Sequence, residues 1–267
     1  MRLRPIAAIA LRQLYLMRSS PVRILPMIAW VAVDIVLWGF IARYLNSVNS
    51  KGINFTASLL GAVLFWDFFT RVMQGVTMAF FEDVWSRNFI NVFASPMLIS
   101  EYLCGLVATG VATSLVGLIV MLLIATVIFG LHFAALGLLL LPFLLVLFLF
   151  GIALGVLASA MVLRLGPASE WLVWPIPALL SPFVGVFYPL ATLPAWMRGV
   201  GRVLPPSYVF EAMRSVVAGG DASGAQLAIG VALAALYVLL ACWLFAAVHR
   251  YAVRSGLLAR YSAESVS

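Results

Sequence analysis

Apolar residues run almost without interruption through six stretches of this chain, at about 24–46, 55–79, 102–129, 135–163, 171–190 and 226–248. Each supplies the roughly 20 mostly apolar residues that a helix needs to cross a bilayer core about 30 Å thick. The runs are continuous and lack the short apolar–polar alternation of barrel strands. The expected fold is therefore an all-α integral membrane protein with six transmembrane helices. Polar residues collect between the runs, and two of those intervals do not read as simple loops.

The first interval, 80–101, lies in AFFEDVWSRNFINVFASPMLISEY. Phe81, Trp85, Phe89 and Val92 or Phe93 recur at spacings of three or four, which predicts an amphipathic helix stopping around Ser95 and Pro96. Its polar positions are Glu82, Asp83, Arg87, Asn88 and Asn91, and a second short helix bearing Glu101 leads into the next run. Such a helix either lies on the membrane surface or docks a partner protein. The second interval, 190–220, sits in SPFVGVFYPLATLPAWMRGVGRVLPPSYVFEAMRSVVAGGDASG, where prolines cut the chain into pieces too short to span. Pro194 suits the start of one short helix and Pro206 another, while Gly219 and Gly220 suit a helix end. Trp196, Val200 and Val203 share one face and Arg198 and Arg202 another. A re-entrant or interfacial hairpin fits this pattern, with an ordinary outer loop as the alternative.

Composition agrees with a membrane protein: 65% of the 267 residues are apolar, 9% are charged and the mean hydropathy is +1.14. A soluble domain has about 25% charged residues. Basic residues are retained on the cytoplasmic side. With the N-terminus inside, the inner segments hold Arg2, Arg4, Arg12, Arg18, Arg23, Arg87, Arg164, Arg250, Arg254 and Arg260, ten in all. The outer segments hold five, Arg43, Lys51, Arg198, Arg202 and Arg214. Both termini are thus expected in the cytoplasm, with 80–101 inside, 190–220 outside, and an inner or plasma membrane location. Anionic inner-leaflet lipid accounts for the net charge of +7 without nucleic acid. The basic stretch before the first run is too long for a cleaved signal peptide. Residues 1–23 are therefore expected as a cytoplasmic amphipathic segment and 249–267 as a cytoplasmic tail, within one transmembrane domain spanning 1–267. Cys104 and Cys242 lie far apart at or inside runs and are expected to be packing residues.

Chemistry narrows the function further. Lys51, the only lysine, lies in LNSVNSKGIN without the upstream glycine of a phosphate-cradling loop, so ATP hydrolysis by that machinery is excluded for this chain. His132 and His249 form no metal-binding pair, and no serine sits in a nucleophile elbow. No catalytic, metal or cofactor site is expected. Gly151 and Gly155 in GIALG look like helix contact points. Asp34, Asp67 and Arg71 fall inside runs, where a charge costs about 2.5–3.5 kcal/mol on insertion scales. Asp67 and Arg71 are four apart on one face, and Asp34 falls at a similar depth in the first run, so Arg71 can satisfy either carboxylate. This is either a structural ion pair or a substrate or proton path. The second option would make the chain an ion-coupled secondary transporter, although no internal repeat supports it. A membrane-embedded enzyme would need clustered polar groups, and none stands out.

At the two unusual intervals the sequence resembles the membrane subunits of ABC type 2 exporters of bacteria. The resemblance rests on Glu82, Asp83, Ser95, Pro96 and Gly105, and on GVFYPLATLPAWMRGVGRVLPPSYVFEAMR with Tyr188, Pro189, Pro194, Trp196, Pro206, Tyr208, Glu211 and Arg214. Pro205 and Pro206 replace the family's Asn-Pro, and WSRN at 85–88 replaces its Gly-Thr. The resemblance implies that 80–101 is a coupling segment for a separate cytoplasmic ATPase and that 190–220 is the outer re-entrant hairpin. It also implies two copies each of permease and ATPase, exporting an amphipathic, lipid-linked or drug-like substrate.

The six runs and the ten-to-five basic bias make topology testable. Cysteines introduced at Asn49 and Ser223 are expected to label from outside the cell, and those at Ser19 and Ser262 are not; labelling of all four from one side would refute six spans.

Overall fold

The computed structural model describes residues 2–19, 21–48, 55–86, 97–130 and 137–257, and every regular element among them is a helix. In chain order these are α1 (Leu3–Ser19), α2 (Pro21–Val48), α3 (Phe55–Trp85), α4 (Ile99–Phe129) and α5 (Leu140–Leu165). They are followed by α6 (Ile176–Val184), α7 (Ala195–Val203), α8 (Pro205–Val217) and α9 (Gly224–Arg254). Short 3₁₀ turns, Pro167–Leu172 and Leu190–Thr192, precede α6 and α7.

Among the described residues, four stretches are long and apolar enough to cross a membrane: Ser58–Trp85, Ile99–Phe129, Gly137–Leu165 and Gly224–Arg254. They correspond to the second, third, fourth and sixth apolar runs. The first run lies within α2, which has 28 residues. The fifth run, 171–190, is not one helix. Pro175, Pro177 and Pro182 each lack an amide hydrogen and crowd the preceding turn, so the chain forms the Pro167–Leu172 turn and then the nine-residue α6. At 1.5 Å per residue α6 is about 14 Å long, under half a bilayer core. Gly166 (φ 101°) and Gly185 (φ 65°) take backbone conformations that other residues rarely adopt, and they fix the two ends of this broken segment.

The helix α3 is the centre of the bundle, packed against α2, α4, α5 and α8, while α9 packs along α5 and α8. Glycines set the closest approaches. A Cβ on Gly75 of α3 would stand 2.9 Å from the Gly110 Cα of α4. On the other side, a Cβ on Gly155 of α5 would stand 2.8 Å from the Met73 carbonyl oxygen, and one on Gly151 would meet Val72 at 2.8 Å. Between these contacts, aromatic rings fill the seams. Phe69 stacks on Phe150 (5.6 Å between ring centres), Phe65 meets Phe143 edge-on (5.8 Å), and Phe80 meets Phe245 of α9 (6.2 Å).

The atoms opposing Gly75 and Gly155 include backbone, which cannot swing away. Replacing Gly75 or Gly155 with valine is therefore expected to lower stability in detergent by about 1–3 kcal/mol, the usual cost of overpacking. Gly199→Ala, with nothing within 4 Å of the added carbon, is expected to melt like wild type or slightly higher.

Candidate functional site

The end of α3 expected to face the cytoplasm differs from the sequence reading. No glycine or proline interrupts residues 79–86, so α3 runs unbroken through Trp85. Glu82, Asp83 and Trp85 thus occupy the last turns of a membrane-capable helix rather than a separate amphipathic one. Arg87, Asn88, Ser95 and Pro96 lie outside the described residues. Trp85 is half exposed and packs on Phe81 (5.8 Å), and its indole Nε1 donates to Glu170 Oε2 at 2.9 Å. Glu82 is partly exposed. Asp83, by contrast, is buried and spoken for: Arg12 donates to its Oδ1 and the Tyr102 hydroxyl to its Oδ2 at 2.8 Å. Both oxygens of Asp83 are thus occupied inside the chain.

A second carboxylate works with it. Glu101, in the first turn of α4, is buried and accepts from the amide of Leu98 at 3.1 Å. It also accepts from the Arg2 amide at 2.8 Å and from the Arg2 guanidinium at 3.3 Å. The Arg2 amide immediately precedes α1, where free N–H groups and the helix dipole favour an anion. Along the same contact, Gln13 Nε2 donates to the Ala79 carbonyl at 3.3 Å, and Ile9 fills a notch over Gly105. The amphipathic α1 is thereby fastened to α4 through Arg2 and Ile9 and to α3 through Arg12 and Gln13. No motif marks Arg2, Arg12, Gln13 or Tyr102; their only trace in the sequence is that positions 2, 5, 9, 12 and 13 fall near one helical face.

The structure brings Asp34, Asp67 and Arg71 together within the bundle. Arg71 Nη2 lies 3.9 Å from Asp67 Oδ2, with both side chains largely buried, and Arg71 also interacts electrostatically with Asp34 of α2. Gly117 of α4 gives the Arg71 stem its room, since a Cβ there would stand 2.9 Å from Arg71 Cδ.

Toward the other end of α3, α7 and α8 form a helical hairpin. Pro194 precedes α7, and Pro205 and Pro206 open α8. Ser207 Oγ donates to the Gly201 carbonyl at 2.7 Å, and the Tyr208 hydroxyl to that of Arg202 at 2.8 Å, so the turn between the two helices is tied by side chains. Glu211 Oε1 accepts from the Leu190 amide and from Arg214 Nη2, both at 2.8 Å. Arg214 Nη1 in turn donates to the Gly185 carbonyl at 2.7 Å. The Tyr188 hydroxyl donates to the Pro182 carbonyl at 2.8 Å; Pro189 opens the Leu190–Thr192 turn. Trp196 is largely exposed and meets Phe183 edge-on, while Phe187 stacks on Trp38 of α2 at 5.0 Å. A small apolar-lined cavity lies between α3 and the broken segment, bounded by Met73, Gln74, Thr77, Met78, Phe81, Val173, Trp174 and Pro177.

Residues 6–218, most of the chain, match the sequence profile of the ABC-2 type transporter family. Among curated proteins, none matches the chain.

Buried carboxylates are tolerated when charge-assisted hydrogen bonds surround them, and removing one partner strands the other. Arg12→Ala and Asp83→Ala are each expected to destabilise the protein by about 1–3 kcal/mol. Their double-mutant cycle is expected to show coupling above about 0.5 kcal/mol. Thermal melting of the purified variants checks this, and simple additivity would mean that α1 is held by other contacts.

Proposed function

As the chain belongs to the ABC-2 type transporter family, and is thus a transmembrane permease of an ABC transporter, we propose that it exports an amphipathic substrate using a separate ATPase. Two copies of the chain would enclose the path and two copies of a cytoplasmic ATPase would drive it, in a bacterial inner membrane with both termini cytoplasmic. In this reading the chain has six spans, with α2 as the first and the broken segment 167–184 serving as the fifth. The α7–α8 hairpin is re-entrant from the outer side.

The observation that carries the proposal is the single helix α3. It has 31 residues and no proline, and it reaches from the expected ATPase side to the hairpin. At its inner end are Glu82 and Trp85, which with Arg87, Asn88 and the Ser95–Pro96 turn form the docking surface of this reading. Toward its other end Trp66 packs on Phe210 of α8 (6.2 Å between ring centres), and Gly61 lies against Met213. A stiff helix in contact with both regions is the kind of element that carries mechanical coupling between sites. Closure of the ATPases would push the 80–101 region, and α1 would follow, because Asp83 and Glu101 tie it to α3 and α4. The charges Asp34, Asp67 and Arg71 then act as a structural cluster joining α2 to α3. An ion-coupled transporter would instead use them to bind the driving ion.

Combining Trp85→Ala with charge reversal at Glu82 and Arg87 is expected to leave membrane insertion intact. The variant should lose the ATPase during co-purification, or hydrolyse ATP without transport in vesicles. Wild-type binding and ATP-driven transport by this variant would remove the docking surface from the 80–101 region. Substrate movement in vesicles without any ATPase, driven by an ion gradient, would favour the secondary transporter.

A further inference from the structure

The C-terminal ends of α5 and α9 lie side by side, and they gather three arginines that the transport reading does not use. Arg164, the penultimate residue of α5, places its guanidinium carbon 4.5 Å from the ring centre of Tyr251 on α9. Arg250 adjoins Tyr251 in sequence, and Arg254 follows one turn later on the same face as Arg250. All three arginines and Tyr251 are exposed, and among the described residues none of the three makes an ion pair. Glu170, the acidic residue nearest to Arg164 in sequence, is taken by the Trp85 indole.

The helix dipoles favour some positive charge at these C-termini, but that effect needs no cluster spanning two helices. Both helices belong to membrane-capable stretches that end at this point, so the guanidinium groups sit where a bilayer meets water. Exposed apolar side chains adjoin them along the chain, Leu165 next to Arg164 and Val253 next to Arg254, and exposed Trp171 follows in the turn after α5. Guanidinium matches phosphate with paired, planar hydrogen bonds, and tryptophan favours the headgroup level. A soluble phosphate would use the cations and leave the apolar border idle, whereas a phospholipid uses both.

We propose that the paired ends of α5 and α9 form a binding site for an anionic phospholipid, with Arg164, Arg250 and Arg254 holding its phosphate and Tyr251 fixing the Arg164 guanidinium. The site depends on the chain lying in a bilayer and is independent of any ATPase partner.

The test is native mass spectrometry of the full-length protein in neutral detergent, titrated with phosphatidylglycerol or phosphatidylcholine. Wild type is expected to bind phosphatidylglycerol at least about ten-fold more tightly, given about five-fold per arginine near an anionic surface. Arg164→Gln with Arg254→Gln is expected to weaken that binding about 30-fold on the same scale, while lysine at both positions keeps most of it. Arg4→Gln, which removes an exposed arginine of α1, is expected to change it less than two-fold, or about 0.4 kcal/mol. Equal affinity of wild type for the two lipids would overturn the proposal, and this arm needs no variant to fold. An effect of Arg4→Gln as large as that of the double variant would also overturn it, by showing diffuse attraction instead of a site. Displacement of the lipid by inorganic phosphate at equal concentration would reassign the site to a soluble anion and refute the lipid assignment.

Discussion

How closely α3 lies against its neighbours determines the rest of this fold. In a bilayer, moving apolar surface from lipid to protein gains little, so helix association rests on close van der Waals contact and on hydrogen bonds. Gly75 and Gly110 bring the α3 and α4 backbones together, and Gly151 and Gly155 do the same for α5 on another side of α3. The helices α4 and α5 touch each other little and are joined through α3. Any side chain at these glycines would push a backbone, so the spacing admits one register.

With α3 held in that register, both of its ends have fixed positions. One end presents Asp83, which is buried only because Arg12 and Tyr102 reach it; that requirement places α1 across α3 and α4. Toward the other end Trp66 and Phe69 meet Phe210 and Phe150, seating α8 between α3, α5 and α9. The hairpin then needs few apolar contacts of its own. Its short helices are tied by hydrogen bonds that Ser207, Tyr208 and Arg214 donate to backbone carbonyls and that Glu211 accepts from the Leu190 amide.

Hydropathy alone locates α3, α4, α5 and α9, because a bilayer demands both length and apolarity and few other constraints produce such runs. It misses the break in 171–190, where the average hydropathy stays high while four prolines, Pro175, Pro177, Pro182 and Pro189, remove amides that a helix needs. The proline and glycine signals place α7 and α8 well, since Pro194, Pro206 and Gly219 mark backbone geometry rather than polarity. At 80–101 the spacing of Phe81 and Trp85 correctly signals helix, yet period alone does not distinguish a new helix from the continuation of an old one. Polarity likewise does not reveal which way a carboxylate faces. Asp83 finds Arg12 across 71 positions of sequence, a distance over which no local pattern survives.

The charges of the bundle fall into two kinds, separated by how completely their neighbours satisfy them. Asp83 and Glu101 are surrounded by donors at hydrogen-bond distance, an arrangement that rigidifies the contact it bridges. Asp67 is different: its Oδ2 is buried without a hydrogen bond, and Arg71 stands 3.9 Å away, beyond hydrogen-bond reach. Asp67 and Arg71 both stand on α3, so their pairing sets no distance between helices, whereas the glycine contacts of α3 with α4 and α5 become clashes when those helices approach further. Close backbone contact at Gly75, Gly110, Gly151 and Gly155 thus holds α3, α4 and α5 at one spacing.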